Sequence, residues 1–270
     1  ISAVSAFAAP FIGSLLYTAF GLKPVMYAGV ICFFITAVFE CFIKLDYHPE
    51  RTTENVLEIV KKDLKDSTKF ICKEKTAILK ILLLVAVIGF FIQGIALVGL
   101  PYMVRTILGL NAKFYGATES MLGLTVILGS VISGLIVSKF KIRKLYLTLF
   151  SVGICLLPVG AIFIISTGVY MKYTVLMLSF AIIQIVACVF SIFALSIIQQ
   201  LTPNNMIGKV MAYTATFSLC AQPLGQIIYG LLFDTFANMV YVILIPTGII
   251  LCMIGFKTKD FFAKVEKQLE

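Results

Sequence analysis

Glu119 is the most unusual charged residue of this sequence, because it lies within an apolar run at residues 114–138. An ionised carboxylate at the centre of a bilayer costs ~2.5–3.5 kcal/mol on insertion scales, so it is expected to face a bundle interior or a water-filled cavity. Gly123 and Ser130 share its helical face. Two interpretations stay open: a carboxylate that binds a proton or cation, or a residue near the outer end of its run that is hydrated or paired with Arg105.

Uncharged polar side chains well inside the apolar runs form a second group of candidate site residues. Such groups need hydrogen-bonding partners inside a bundle or in water. As a set they are typical of a mostly apolar cavity that orients a small molecule through a few hydrogen bonds, with a Phe adding aromatic surface. For each residue alone, hydrogen bonding between packed helices is the alternative. The set comprises Phe90, Gln93, Gln184, Ser191, Gln222 and Gln226.

The sequence lacks the motifs of several other chemistries. It contains no phosphate-binding Gly-x-x-x-x-Gly-Lys-[Ser/Thr] loop and no His-Glu-x-x-His, and its one His is His48. The apolar runs contain neither paired carboxylates nor a nucleophile with a base. Its seven Cys are scattered without a Cys-x-x-Cys pair and are interpreted as small buried hydrophobic residues. We therefore expect no catalytic residues, no metal or other cofactor, and no enzyme activity.

Eight long apolar runs must position these residues. The 270-residue chain is 60% hydrophobic and 13% charged, against about a quarter charged in a soluble domain. A hydrocarbon core of ~30 Å needs roughly 20 apolar residues per helix, and the sequence lacks the alternation of a membrane β-barrel. It therefore predicts an all-α polytopic membrane protein. The predicted helices cover residues 1–20, 24–44, 76–106, 114–138, 145–167, 173–200, 207–233 and 236–256.

Lys and Arg residues are concentrated in every second segment that follows an apolar run. The segments after the second, fourth, sixth and eighth runs contain all but four of the 22 Lys and Arg residues. The positive-inside rule places this side in the cytoplasm, so both ends of the chain are predicted to be cytoplasmic. Because these basic residues border membrane spans, the net charge of +9 does not indicate nucleic-acid binding.

Residues 45–75 form the long charged connection after the second run, with seven basic and seven acidic side chains. Leu57, Val60 and Leu64 fall on one helical face, and lysines lie on the other. This pattern predicts a cytoplasmic amphipathic helix at the membrane surface. A linker helix packed on the bundle is the alternative.

An internal repeat relates the first run to the seventh. The offset of six helices is what two parallel six-helix halves would give. The matching residues are Ser5, Pro10, Gly13 and Tyr17 in the first copy and Ser218, Pro223, Gly225 and Tyr229 in the second.

Three segments resemble motifs of the major facilitator superfamily, and within it of the drug and macrolide efflux branch. Residues 9–14, Ala-Pro-Phe-Ile-Gly-Ser, resemble the fifth-helix antiporter motif Gly-Pro-x-x-Gly-Gly. Residues 134–144 resemble the basic loop after the second and eighth helices, although that motif has Asp where Ser138 stands and Gly where Lys141 stands. Residues 202–210 are similar to the loop that enters the eleventh helix. The basic-loop residues are Lys139, Lys141 and Arg143.

The resemblance implies a fold of twelve transmembrane helices, of which this chain would be a fragment with helices five to twelve. Residues 1–44 would then be the last two helices of the N-terminal bundle, residues 45–75 the central cytoplasmic loop, and residues 76–270 the C-terminal six-helix bundle with a short cytoplasmic tail. On this basis residues 1–270 alone are not expected to transport. For Pro10 and Gly13 the resemblance implies a bend that shapes the transport path; ordinary helix packing is the alternative.

The resemblance also implies a function. It is that of a secondary active transporter in the cell membrane, which exports hydrophobic or amphipathic small molecules by proton antiport. The expected partners are a small-molecule substrate, protons and the lipid bilayer, and the full-length protein is expected to be a monomer. Two alternatives remain: a lipid, siderophore or metabolite carrier of the same fold, or a membrane scaffold or sensor that transports nothing.

Overall fold

The computed structural model describes residues 16, 20–42, 69–71, 75–136, 140–204, 206–237 and 239–269. The chain divides into two compact units, Ile1–Leu64 and Lys65–Glu270. Within the described residues every regular element is a helix and no strand is present. The predicted all-α fold is therefore confirmed.

The first unit contributes one described helix, α1 (Leu22–Cys41). It corresponds to the predicted run 24–44. The predicted run 1–20, including Pro10 and Gly13, lies almost wholly outside the described residues. The predicted amphipathic helix of the 45–75 connection also lies outside them, apart from residues 69–71 and Lys75.

The second unit is a bundle of helices around one hydrophobic core. The helices of this unit are α2 (Thr76–Ile107), α3 (Ala112–Ile136), α4 (Tyr146–Ile164), α5 (Val169–Leu201), α6 (Ile207–Thr235), α7 (Val240–Lys257) and α8 (Lys259–Leu269). Seven helical segments of the described part of the chain, α1 included, are long and apolar enough to cross a membrane. The last of them, Val240–Leu269, is made of two helices, α7 and α8.

Helix α2 departs from the uniform α-helix that its sequence predicts. It is α-helical over Thr76–Ile88 and then π-helical over Gly89–Gln93, Ile95–Gly99 and Tyr102–Ile107. π-Helical segments are rare and often occur at functional sites. The wider winding changes which side chains share a face, so residues three apart diverge further than they do in an α-helix.

Close backbone contact holds α2 against α6. A Cβ atom on Gly94 would lie 2.8 Å from the carbonyl carbon of Gly225, and a Cβ atom on Gly225 would collide with the carbonyl oxygen of Phe90. Small residues permit such contact between membrane helices. The second copy of the repeat thus has its Gly at a position where no side chain fits.

The connection between α2 and α3 is built from two residues suited to turns. Gly109 adopts a φ of 62°, the left-handed conformation that often ends a helix. The Asn111 side-chain oxygen accepts hydrogen bonds from the backbone N–H groups of Lys113 at 3.0 Å and Phe114 at 3.4 Å. Asn111 therefore caps α3.

The C-terminal tail is a packed helix, whereas the sequence was interpreted only as a short cytoplasmic tail. Phe262 and Val265 of α8 are fully buried, and the Phe262 ring lies 6.4 Å from the Phe190 ring. Lys80 Nζ lies 5.6 Å from the centre of the Phe261 ring, a cation–π distance. Helix α8 also packs on the 3-10 turn Ile142–Lys144, which fixes the tail against the connection between α3 and α4.

Candidate functional site

A cavity of about 220 Å³ lies among four helices of the second unit, α2, α3, α5 and α6. Pockets for drug-sized ligands are larger, at roughly 300–1,000 Å³, so this cavity can accommodate part of such a molecule. Its lining residues are Val85, Ile88, Gly89, Ile92, Gln93, Val126, Gln184, Ala187, Cys188, Ser191, Ser218 and Gln222.

The polar groups of the cavity are uncharged amides, hydroxyls and a thiol. Four residues that the sequence predicted for a substrate site, Gln93, Gln184, Ser191 and Gln222, are brought together here. None of the described residues that line the cavity is charged. Each Gln side chain offers two N–H donors and a carbonyl acceptor. The cavity can therefore orient an uncharged polar group that donates or accepts hydrogen bonds.

Helical spacing explains how these groups converge. Gln184, Cys188 and Ser191 lie at i, i+4 and i+7 on α5 and form one stripe. Ser218 lies one turn before Gln222 on α6 and shares its face. Ser218 was predicted only as a residue of the internal repeat and not as part of a substrate site, although its i, i+4 spacing to Gln222 was visible in the sequence.

Phe90 and Gln226 do not line this cavity. Phe90 lines a separate, largely apolar pocket of about 250 Å³, and its ring lies 6.3 Å from the ring of Tyr229. The π-helical winding of Gly89–Gln93 turns Phe90 away from the face of Gln93. Gln226 is half-buried and follows Gly225, where contact between the α2 and α6 backbones leaves no space.

Glu119 lies on α3 outside the cavity lining. It is half-buried, and the Tyr115 side chain one turn earlier interacts with its carboxylate. Val126 is the nearest cavity residue on the same helix, seven residues away, or about 10 Å. Arg105 is exposed, and among the described residues no ion pair joins it to Glu119. The alternative of an Arg105 pair therefore has no support in this structure.

The face of α3 that carries Glu119 leads toward the cavity. Ser130 lies on this face, and its Oγ donates to the Val126 carbonyl oxygen at 2.9 Å. Ser130 Oγ also lies 3.7 Å from Cys188 Sγ, and Cys188 lines the cavity. Ser130 therefore connects the stripe of α3 to the polar stripe of α5.

The predicted motif residues are only partly described. Lys141 and Arg143 are exposed and lie at the 3-10 turn Ile142–Lys144, against which α8 packs. Pro10, Gly13 and Lys139 lie outside the described residues. The structure thus places part of the basic loop next to the C-terminal helix.

The described part of the chain contains no group of three or more His, Cys, Asp or Glu side chains that could hold a metal ion. Its described cysteines are free thiols. Cys188 donates weakly to the Val126 carbonyl oxygen at 3.8 Å, and Cys252 to the Phe150 carbonyl oxygen at 3.7 Å. Both thiols therefore bridge neighbouring helices.

The chain was compared with known protein families. A family model described as the Major Facilitator Superfamily matches residues 1–225. No curated protein matches the chain. The matched residues include α1 to α5, most of α6 up to Gly225, and every residue of the cavity lining.

Proposed function

Because the chain belongs to the Major Facilitator Superfamily, we propose that it is a secondary active transporter that exports hydrophobic or amphipathic small molecules in exchange for protons. Family membership makes it a membrane transporter with an all-α bundle. The finer proposal is that it belongs to the drug and macrolide efflux branch. Its motif-like segments at residues 9–14 and 134–144 support that proposal.

The observation that carries the proposal is the composition of the cavity. Apolar residues from three helices surround three Gln and two Ser side chains, and the described lining has no charge. An amphipathic solute can bury its apolar part there and still satisfy its hydroxyl or carbonyl groups. A substrate with a full charge would lack a counter-charge on this lining, which favours uncharged or weakly charged substrates.

Transport would proceed by rocking of two bundles around this site. In this proposal residues 1–44 belong to the first bundle, residues 45–75 connect the bundles on the cytoplasmic side, and residues 76–270 form the second bundle. Both ends of the chain would be cytoplasmic, because the connections rich in Lys and Arg lie on that side. We further propose that the carrier works as a monomer in the cell membrane.

Proton coupling would use Glu119. The carboxylate is half-buried in a membrane-capable helix and interacts with the Tyr115 side chain. Ionisable groups within membrane helices commonly mark ion or proton pathways. Protonation would remove the charge while Tyr115 keeps the side chain in place.

An accumulation assay tests the proposed function. Cells that express the complete carrier, including any sequence outside residues 1–270, are loaded with an uncharged amphipathic dye or a macrolide. We expect lower accumulation than in control cells, and a proton uncoupler should abolish the difference. Equal accumulation in both cell types would reject drug export, and lower accumulation that survives the uncoupler would reject proton coupling.

Gln184→Leu tests whether the cavity contacts the substrate. Loss of one hydrogen bond of ~0.5–1.5 kcal/mol should raise the KM of transport about three- to tenfold, because Leu removes the amide and keeps similar bulk. Gln200→Leu is the matched control, since Gln200 is exposed on the same helix and its amide bonds to Ser196 at 3.1 Å. Equal KM values in both variants would contradict a substrate contact at Gln184.

A further inference from the structure

A second concave surface lies between α4 and α7, and it shares no residue with the cavity. It has a volume of about 350 Å³ and is almost entirely apolar, with a single Lys at one end. The groove is lined by Phe150, Leu157, Ile249, Met253, Phe256 and Lys257, with Cys252 on its floor.

Close packing of two helices produces this groove. A Cβ atom on Gly153 would lie 2.6 Å from the Gly248 carbonyl oxygen, and a Cβ atom on Gly255 would lie 2.7 Å from the Phe150 backbone nitrogen. The backbones of α4 and α7 are therefore in contact. Larger side chains on both helices project beyond this backbone contact and form the walls of the groove.

The walls of the groove are exposed apolar side chains. Phe256 is 69% exposed, Met253 52% and Ile249 47%. Ile249 and Lys257 are eight residues apart on α7, or about 12 Å, which is less than half of a hydrocarbon core of about 30 Å. The groove therefore has a length that fits a single acyl chain within one leaflet.

The end of the groove at Lys257 is strongly basic. Residues 140–144 and 257–269 contain seven Lys or Arg and two Asp or Glu. They share one end of the unit because α8 packs on the turn Ile142–Lys144. A lipid phosphate at this end would meet a positive field.

We propose that this groove is a binding site for an anionic phospholipid, with one acyl chain along its apolar walls and the phosphate group against Lys257. A phosphatidylcholine head group carries its own cation, which offsets the attraction of its phosphate to Lys257. Phosphatidylglycerol lacks that cation and keeps the full attraction. The positive-inside rule puts this end of the unit in the cytoplasmic leaflet, where anionic lipids and basic pockets between helices meet. The site does not depend on which substrate the carrier transports.

Tryptophan fluorescence provides a direct test, because the chain contains no Trp. Phe256→Trp places a single reporter in the groove of the full chain, reconstituted in phosphatidylcholine vesicles. Increasing fractions of dibrominated phosphatidylglycerol or dibrominated phosphatidylcholine then quench it on contact. We expect half-quenching at an about fivefold lower fraction of the anionic lipid, the effect of one Lys near a lipid surface.

Two controls separate the groove from the general lipid boundary. Leu135→Trp places the reporter on α3 at a site that is 73% exposed and outside the groove, and it should show no preference between the two lipids. Lys257→Gln combined with Phe256→Trp should remove the preference, whereas Lys264→Gln, a change of an exposed Lys on α8, should keep it.

Three results would overturn the proposal. An equal preference at Leu135→Trp and Phe256→Trp would mean general attraction to the basic end. Equal quenching of Phe256→Trp by both lipids would mean that no anionic lipid is selected. Absence of quenching by either lipid would mean that protein, from another part of this carrier or from a second copy, covers the groove.

Discussion

Glu119 illustrates how a neighbouring residue can hold a carboxylate inside a membrane helix. Tyr115 lies one turn away and its side chain interacts with the carboxylate, while Arg105 is exposed. The nearest interacting group is therefore a neutral side chain of the same helix rather than a cation. The i, i+4 spacing of Tyr115 and Glu119 was visible in the sequence, but the interaction requires the side-chain conformations that the structure provides.

Glu119→Gln tests the proposed proton coupling. Gln keeps the size and a hydrogen-bond acceptor for Tyr115 but cannot bind and release a proton. We expect normal membrane insertion with transport that is abolished or no longer depends on pH, measured as efflux across a range of external pH. The matched control is Asp234→Asn, because Asp234 is an exposed carboxylate near the end of α6. Unchanged pH-dependent efflux by Glu119→Gln would remove Glu119 from the coupling mechanism.

At the level of elements, the contact between α2 and α6 determines where the cavity ends. Gly94 and Gly225 bring the two backbones together, and the cavity lies on the side of this contact that carries Gln93 and Gln222. The π-helical winding of α2 directs Gly89 and Gln93 to the cavity and Phe90 to a separate pocket. A change at this contact should therefore disturb both the packing and the site.

Gly225→Ala tests the contact through the stability of the protein. The added methyl group would collide with the carbonyl oxygen of Phe90, and overpacking of this kind costs about 1–3 kcal/mol. We expect a lower Tm in detergent. Gly230→Ala is the control on the same helix, because its methyl group would find the nearest atom, Val98 Cγ1, at 4.0 Å, and Ala favours a helix over Gly by up to about 1 kcal/mol. Equal Tm values for the two variants would contradict the backbone contact.

At the level of the whole molecule, membrane crossing follows from composition and orientation follows from charge. Seven described helices are long and apolar enough to cross a bilayer, and the family match extends over residues 1–225. Basic residues are concentrated in every second connection between the apolar runs. The proposed topology with both ends in the cytoplasm rests on this asymmetry.

Cysteine labelling tests this topology. In a variant without its own cysteines, Thr53→Cys lies in the 45–75 connection, and Ser166→Cys lies in the exposed connection between α4 and α5. A membrane-impermeant maleimide should label Ser166→Cys in intact cells, and Thr53→Cys only after permeabilisation. Labelling of Thr53→Cys from outside would overturn the topology and the two-bundle arrangement proposed from it.

The sequence by itself determined the class of this protein. Long apolar runs have few alternatives to membrane helices, because lipid offers no hydrogen bonds to an open backbone. Regular spacing also predicted the stripe of Gln184 and Ser191, because side chains at i and i+7 share a face on any α-helix. Whether these residues contact a substrate stays a prediction.

Only the tertiary structure decided which predicted residues share one cavity. Phe90 was grouped with Gln93 because it lies close to it in the sequence and adds aromatic surface, but the two residues line separate pockets of the structure. Gln226 was grouped with Gln222, but it does not line the cavity that contains Gln222. The sequence also did not predict that α8 packs on the turn Ile142–Lys144. In each case the result depends on contacts between helices far apart in sequence, which local periodicity does not encode.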